Sequence, residues 1–252
     1  MSANMKHIIL LFILGFIGVL SALPLISQLL ALQPAPPPLS IEIIQVISVA
    51  QSSVLLLLMV WLGSVFSPKT RLTSPVISAI IRSEDAIAAL KPQILPALIG
   101  GIIGGVFIVI FLGILSGSLP ADFLSAGEKL KLPWYTRILY GGITEELLIR
   151  WGLMSFIAWG AYRITQKNGA DIAPHNYVLA IIISSLIFGL GHLPVASALT
   201  TTLTAPLITY IILGNAAFGI IAGYLYWKRG LECAMGAHMI AHLTMMMGEG
   251  FM

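Results

Sequence analysis

The sequence predicts an all-α fold, a polytopic transmembrane helical bundle of about seven spanning helices plus one interfacial helix. Two observations carry that prediction. Hydrophobic residues make up 58% of the 252-residue chain and charged residues only 9%, whereas a soluble domain carries about 25% charged residues. The apolar residues also fall in runs of about 20, the length a helix needs to cross a bilayer. This composition excludes disorder and an ordinary water-soluble globule. The 13 basic residues are scattered and the net charge is +3, so no nucleic-acid surface is expected. Cys233 is the single cysteine, which excludes an internal disulfide and a cysteine metal cluster.

In chain order the spans are expected over 8–32, 41–66, 92–116, 137–162, 176–192, 205–227 and 231–248. The first carries Lys6 and His7 ahead of an apolar run that continues past the small pair Ser21-Ala22, so a retained helix is favoured over a cleaved leader. Pro34-Ala35-Pro36-Pro37-Pro38 is a stiff break. Residues 74–91 set Val76, Ile77, Ile80, Ile81, Ile87 and Ala88 at helical spacing, the pattern of a helix lying in the interface. Residues 118–136 read as a polar connector. Gly100-Gly101-Ile102-Ile103-Gly104-Gly105 holds two overlapping GxxxG patterns, which predict close helix packing. The chain divides into N-terminal membrane helices with the interfacial helix, 1–90, and a core, 91–252.

Basic residues orient the bundle. With the N-terminus inside, the inside segments hold Lys6, Lys69, Arg71, Arg82, Lys91, Arg163, Lys167, Lys228 and Arg229. The outside segments hold Lys129 and Lys131, with Arg137 at the start of the fourth helix. A cell membrane is the expected location. Asp171, Glu232 and Glu249 are expected to be solvated, and His7 and His175 to lie at membrane edges.

Seven polar residues sit where apolar ones are expected. Glu145, Glu146 and Arg150 lie in the fourth span, His192 ends the fifth, Asn215 lies in the sixth, and His238 and His242 lie in the seventh. A charge at the bilayer centre costs about 2.5–3.5 kcal/mol even on the lenient insertion scale, so such residues are paired or functional. At 100° per residue, Glu146 and Arg150 share a face as an ion pair, in the favoured acid-before-base order. Glu145 points elsewhere, on a face with Gly141, Gly142 and Gly152 that permits close approach of a helix or substrate. His192 shares a face with Ser185, Phe188 and Gly189, and Phe188 can fix its ring by packing. His238 and His242 are four apart, so both rings can face one metal or one substrate oxygen. Asn215 is expected to hydrogen bond between helices.

Glu145 with three histidines suits peptide hydrolysis in two ways. The carboxylate can act as general base on water, with histidines polarising the carbonyl and holding the oxyanion. Alternatively His192, His238 and His242 ligate zinc, and Glu145 takes the proton from metal-bound water. Two other readings stay open on the residues alone: a proton- or ion-coupled transporter, and a non-catalytic membrane immunity or scaffold protein.

Glu145-Glu146-Leu147-Leu148-Ile149-Arg150 matches EExxxR, Phe188 through His192 matches FxxxH, and His238 begins a closing HxxxN/D motif. Over about residues 134–248 the chain resembles the CAAX protease and bacteriocin-processing family, also called the Abi family, which includes the Ras-converting endoprotease. The resemblance implies an all-helical intramembrane endopeptidase acting on membrane-associated proteins or peptides. It implies that Glu145 activates water with His192 assisting, that His238 and position 242 support the oxyanion or a metal, and that Glu146 and Arg150 are structural partners. It does not decide between a glutamate-dependent enzyme and a zinc metalloprotease. His242 stands where the family has asparagine or an acid. Trp151 separates Arg150 from Gly152 and is expected to reshape the substrate groove.

Overall fold

The computed structural model describes residues 2–33, 35–166 and 171–249, and among these the regular structure is helical, with no strand. Pro34, Lys167 and the side chain of Glu249, each part of an expectation above, lie outside the described residues. Helix α1 (Ala3–Ser21) is capped by Ser2, whose hydroxyl accepts from Met5 N at 3.3 Å. It breaks at Ala22, where Pro24 starts α2 (Leu23–Ala31), so the first span is two helices rather than one. Ser40 caps α3 (Ile41–Phe66).

The interfacial helix expected over 74–91 divides. Helix α4 (Pro75–Arg82) stops at Ser83, which is left-handed at φ 57°. Asp85 then caps α5 (Ala86–Leu115), accepting from Ile87 N and Ala88 N at 3.0 Å. Residues 86–91 are therefore the first turns of a long spanning helix, and position 90/91 falls inside it. A carboxylate that satisfies two orphan N–H groups starts a helix more decisively than the apolar periodicity continues the previous one.

The polar connector contains α6 (Ala121–Lys129). A helical rod then runs over 134–165. It begins as α7 (Trp134–Thr136), passes through two π-helical segments, Arg137–Glu145 and Leu147–Met154, and ends as α8 (Ser155–Thr165). Helices α9 (Pro174–Leu190), α10 (Leu193–Ser197), α11 (Ala205–Arg229) and α12 (Leu231–Glu249) complete the chain.

Among the described residues five segments are long and apolar enough to cross a membrane: Ala3–Ala31, Ile41–Phe66, Ala86–Ser118, Pro174–Ser197 and Ala205–Arg229. The other two expected spans, 137–162 and 231–248, are helical but carry the ionisable side chains. The apolar helices present Val46, Val54, Leu95, Ile103 and Ile114 outward, the surface a hydrocarbon solvent requires.

Close packing joins these layers. Gly101 and Gly105 face α12: a Cβ there would lie 2.5 Å from Ala237 O and 2.8 Å from Ala241 O. Gly100 and Gly104 face α11, against Leu225 and Phe218. The two overlapping GxxxG stripes thus serve two neighbours, and α5 packs closely against both α11 and α12.

Two expectations change here, for Trp151 and Glu232. Trp151 lines no groove. It is buried, its Nε1 donates to Val60 O at 3.2 Å, and its ring meets the edge of His7 at 5.1 Å. His7 itself is tied to Ser74 Oγ at 2.7 Å. Glu232 is not simply solvated: its Oε1 accepts from Ile77 N at 2.9 Å, capping α4 from the start of α12. Asp171 is exposed and pairs with Arg71 at 2.5 Å.

Candidate active site

The two π segments meet at Glu146. Hydrogen bonds of the i→i+5 kind insert an extra residue per turn, and such segments recur at functional sites. Spacing at 100° per residue therefore does not describe this stretch. Adjacent carboxylates nevertheless separate, as the sequence suggested, and each finds different partners.

Glu146 is fully buried. Its Oε2 lies 3.2 Å from Arg150 Nε, and its Oε1 lies 2.8 Å from His238 Nδ1. The Arg150 contact is an ion pair without an aligned hydrogen bond, and the remaining guanidinium nitrogens find no hydrogen-bond partner among the described residues. The guanidinium instead lies over the Phe188 ring, 5.3 Å from its centroid, a cation–π contact strengthened by burial.

Glu145 faces the other way and is 18% exposed. Its Oε1 lies 3.9 Å from His192 Nε2 and its Oε2 lies 3.8 Å from His238 Nε2. These gaps are too long for direct hydrogen bonds and of the size one water bridges.

Backbone and carboxylate acceptors set the tautomers. His192 Nδ1 is 2.8 Å from Phe188 O. A carbonyl only accepts, so Nδ1 carries the proton, and in neutral His192 the Nε2 lone pair faces Glu145. His238 Nδ1 likewise donates to Glu146, which turns its Nε2 toward Glu145 as well. Phe188 braces both rings, edge-on to His192 at 4.7 Å and to His238 at 6.0 Å. Phe218 of α11 packs on His238 at 4.5 Å.

His242 joins the cluster differently. Its ring stacks on His238 at 4.9 Å and 10°, and its Nδ1 is buried without a hydrogen-bond partner. Its Nε2 rests against Gly141, where a Cβ would come within 2.3 Å. Parallel stacking keeps the two rings face to face instead of converging on one point. Among the described residues no three His, Cys, Asp or Glu side chains converge as a metal site. The ligand set His192, His238 and His242 expected for zinc is therefore not assembled. Asn215 also differs from expectation: its Nδ2 donates to Ile211 O at 2.8 Å within α11, not across helices.

Sequence reasoning missed Phe218 and Thr144. Phe218 sits among ordinary apolar residues and gave no signal. Thr144 stands directly before Glu145, and a hydroxyl in an otherwise apolar turn was a signal available to read.

Glu145, His192 and His238 come from three elements far apart in the chain, and all lie within one matched region. Residues 128–244 match a family model described as type II CAAX prenyl endopeptidase Rce1-like. This match, over a little under half of the chain, supports the CAAX protease family for residues 128–244. That region runs from the end of α6 into α12 and holds every site residue named above. The activity of the family is proteolytic, and the chain is an integral, multi-pass membrane protein. No curated protein and no solved structure matches the chain.

Proposed function

We propose that this protein hydrolyses peptide bonds of membrane-associated proteins or peptides in the bilayer, with Glu145 as the base that activates water. One observation carries the reading: the Glu145 carboxylate stands between two imidazole Nε2 atoms, at 3.9 and 3.8 Å. Three facing acceptors need a proton or a water between them. A water held by Glu145 and His192 gives up one proton to the carboxylate as its oxygen bonds to the peptide carbonyl carbon. As the C–N bond breaks, that proton passes to the leaving amine, by way of Glu145 or His192. His238, whose Nδ1 donates to Glu146, stands with its Nε2 on the same water and, on taking a proton there, stabilises the oxyanion. Glu146 and Arg150 are structural partners in this scheme, and His242 supports His238 by stacking.

Glu145→Gln tests the proposal. It keeps the shape and removes the base. Cleavage of a membrane-anchored test peptide is expected to fall by about 10²–10⁴-fold while the melting temperature holds. Full cleavage by the variant sinks the mechanism.

The orientation proposed from charge gains support from how the ends meet. Tyr177 OH donates to Thr70 O at 2.7 Å, Leu231 N donates to Thr73 O at 2.9 Å, and Arg71 pairs with Asp171. These contacts gather Lys69, Arg71, Lys228 and Arg229 at one end of the bundle. His192 follows the far end of α9. A cytoplasmic basic end then leaves the site opening in the outer half of a cell membrane, toward substrates other than cytosolic prenylated tails.

A further inference from the structure

We infer that α1, which lies outside the family-matched residues, holds Glu145 in working position through Thr144, a positioning residue that does not touch substrate. The inference rests on Glu145 being the base. Thr144 directly precedes it and is buried. A threonine inside a helix commonly turns its hydroxyl back to the carbonyl one turn earlier. Thr144 Oγ1 donates instead across to α1, to Gly15 O at 2.8 Å, with Leu139 O farther away at 3.4 Å.

The α1 backbone lies directly on the π segment. A Cβ on Gly18 would come within 2.1 Å of Thr144 Oγ1 and 2.5 Å of Leu139 O. A Cβ on Gly15 would lie 2.8 Å from Leu147 Cδ1, just beyond the two glutamates. A second hydroxyl tie, Thr136 Oγ1 to Ser21 O, fixes the start of the same rod. Two crossing hydrogen bonds and two glycine contacts thus bracket Arg137–Glu145.

The segment needs such bracketing. A π turn is rare, and the common helical alternative is i→i+4 bonding. That change would rotate Glu145 against the two histidines, which stand on other elements and would not follow. A displacement of about 1 Å at a catalytic group can cost about 10²-fold in rate. The Thr144 hydroxyl therefore sets the register of the base, and the helix that supplies its acceptor belongs to the part of the chain without family signal.

The test compares Thr144→Val and Thr144→Ser in the full chain, in lipid nanodiscs. Valine keeps the shape and loses the hydroxyl, whereas serine keeps the hydroxyl. Two readouts are taken: kcat and KM on a membrane-anchored peptide, and the imidazole ¹⁵N shifts of His192 and His238. Thr144→Val is expected to lower kcat by about 10–100-fold, to leave KM within about twofold, and to move both sets of shifts. Thr144→Ser is expected to restore the rate and the shifts. Unchanged kcat and shifts in Thr144→Val overturn the inference, and so does equal loss in both variants. If Thr144→Val does not fold, Gly18→Ala approaches the same hydroxyl from α1, and wild-type rate and shifts there overturn the inference equally. Should the wild type cleave nothing, the proteolytic reading fails, while the nitrogen shifts still decide whether Thr144 positions the cluster.

Discussion

Replacing Arg150 by methionine removes one half of a fully buried ion pair. Glu146 and Arg150 are both 0% exposed and lie 3.2 Å apart. Methionine fills much of the stem volume beside Phe188 and leaves the Glu146 carboxylate with only the His238 Nδ1–H, at 2.8 Å. Stripping a buried charge of its partner costs about 3–5 kcal/mol. For a chain of this size each kcal/mol moves the melting temperature by about 2–4 °C. The expected fall is thus about 6–20 °C, read by tryptophan fluorescence of the protein in detergent. The double variant Glu146→Gln/Arg150→Met removes both charges and keeps an amide oxygen for His238. Only neutral hydrogen-bond differences of about 0.5–1.5 kcal/mol then remain, so the double variant melts well above the single one. A single-variant fall under about 3 °C, or a double variant less stable than the single one, refutes the claim that this pair neutralises a buried charge.

Three further outcomes follow from the same geometry. Gly141→Ala drives a Cβ into His242 Nε2 and is expected to cut cleavage, while adding His242→Asn restores much of it; a double variant as slow as Gly141→Ala shows that the two positions are not coupled. Phe188→Ala removes the ring under Arg150 and against both histidines, and is expected to cost about 3–5 kcal/mol of stability and most of the activity. The native cysteine is buried, so the chain gives low background in thiol labelling. Lys131→Cys is expected to react with a membrane-impermeant maleimide in intact cells and Lys228→Cys only after lysis; the reverse pattern inverts the proposed orientation.

Much of the site was legible because a hydrophobic solvent makes polar residues conspicuous. Glu145, Glu146, Arg150, His192 and His238 stand out in apolar runs, and the structure brings all five together. Asn215 stood out by the same logic yet bonds within its own helix, because a side-chain amide can satisfy itself on the preceding turn. His242 was legible as a polar residue but not as a stacked ring. Spacing gives the face of a helix, whereas ring orientation depends on what fills the space opposite, here Gly141.

The sequence by itself determined the all-helical membrane class, the course of the apolar spans, and the Glu146–Arg150 pairing. These follow from composition and from contacts one turn apart. Tertiary structure decided the rest. The π segments, the turn of Glu145 toward two histidines, and the failure of three histidines to converge all depend on neighbours far away in the chain. Gly15 lies 129 residues from Thr144 and Glu146 lies 92 from His238. Local spacing carries no information about a carbonyl or a carboxylate supplied by another helix, and those supplied groups set where each side chain points.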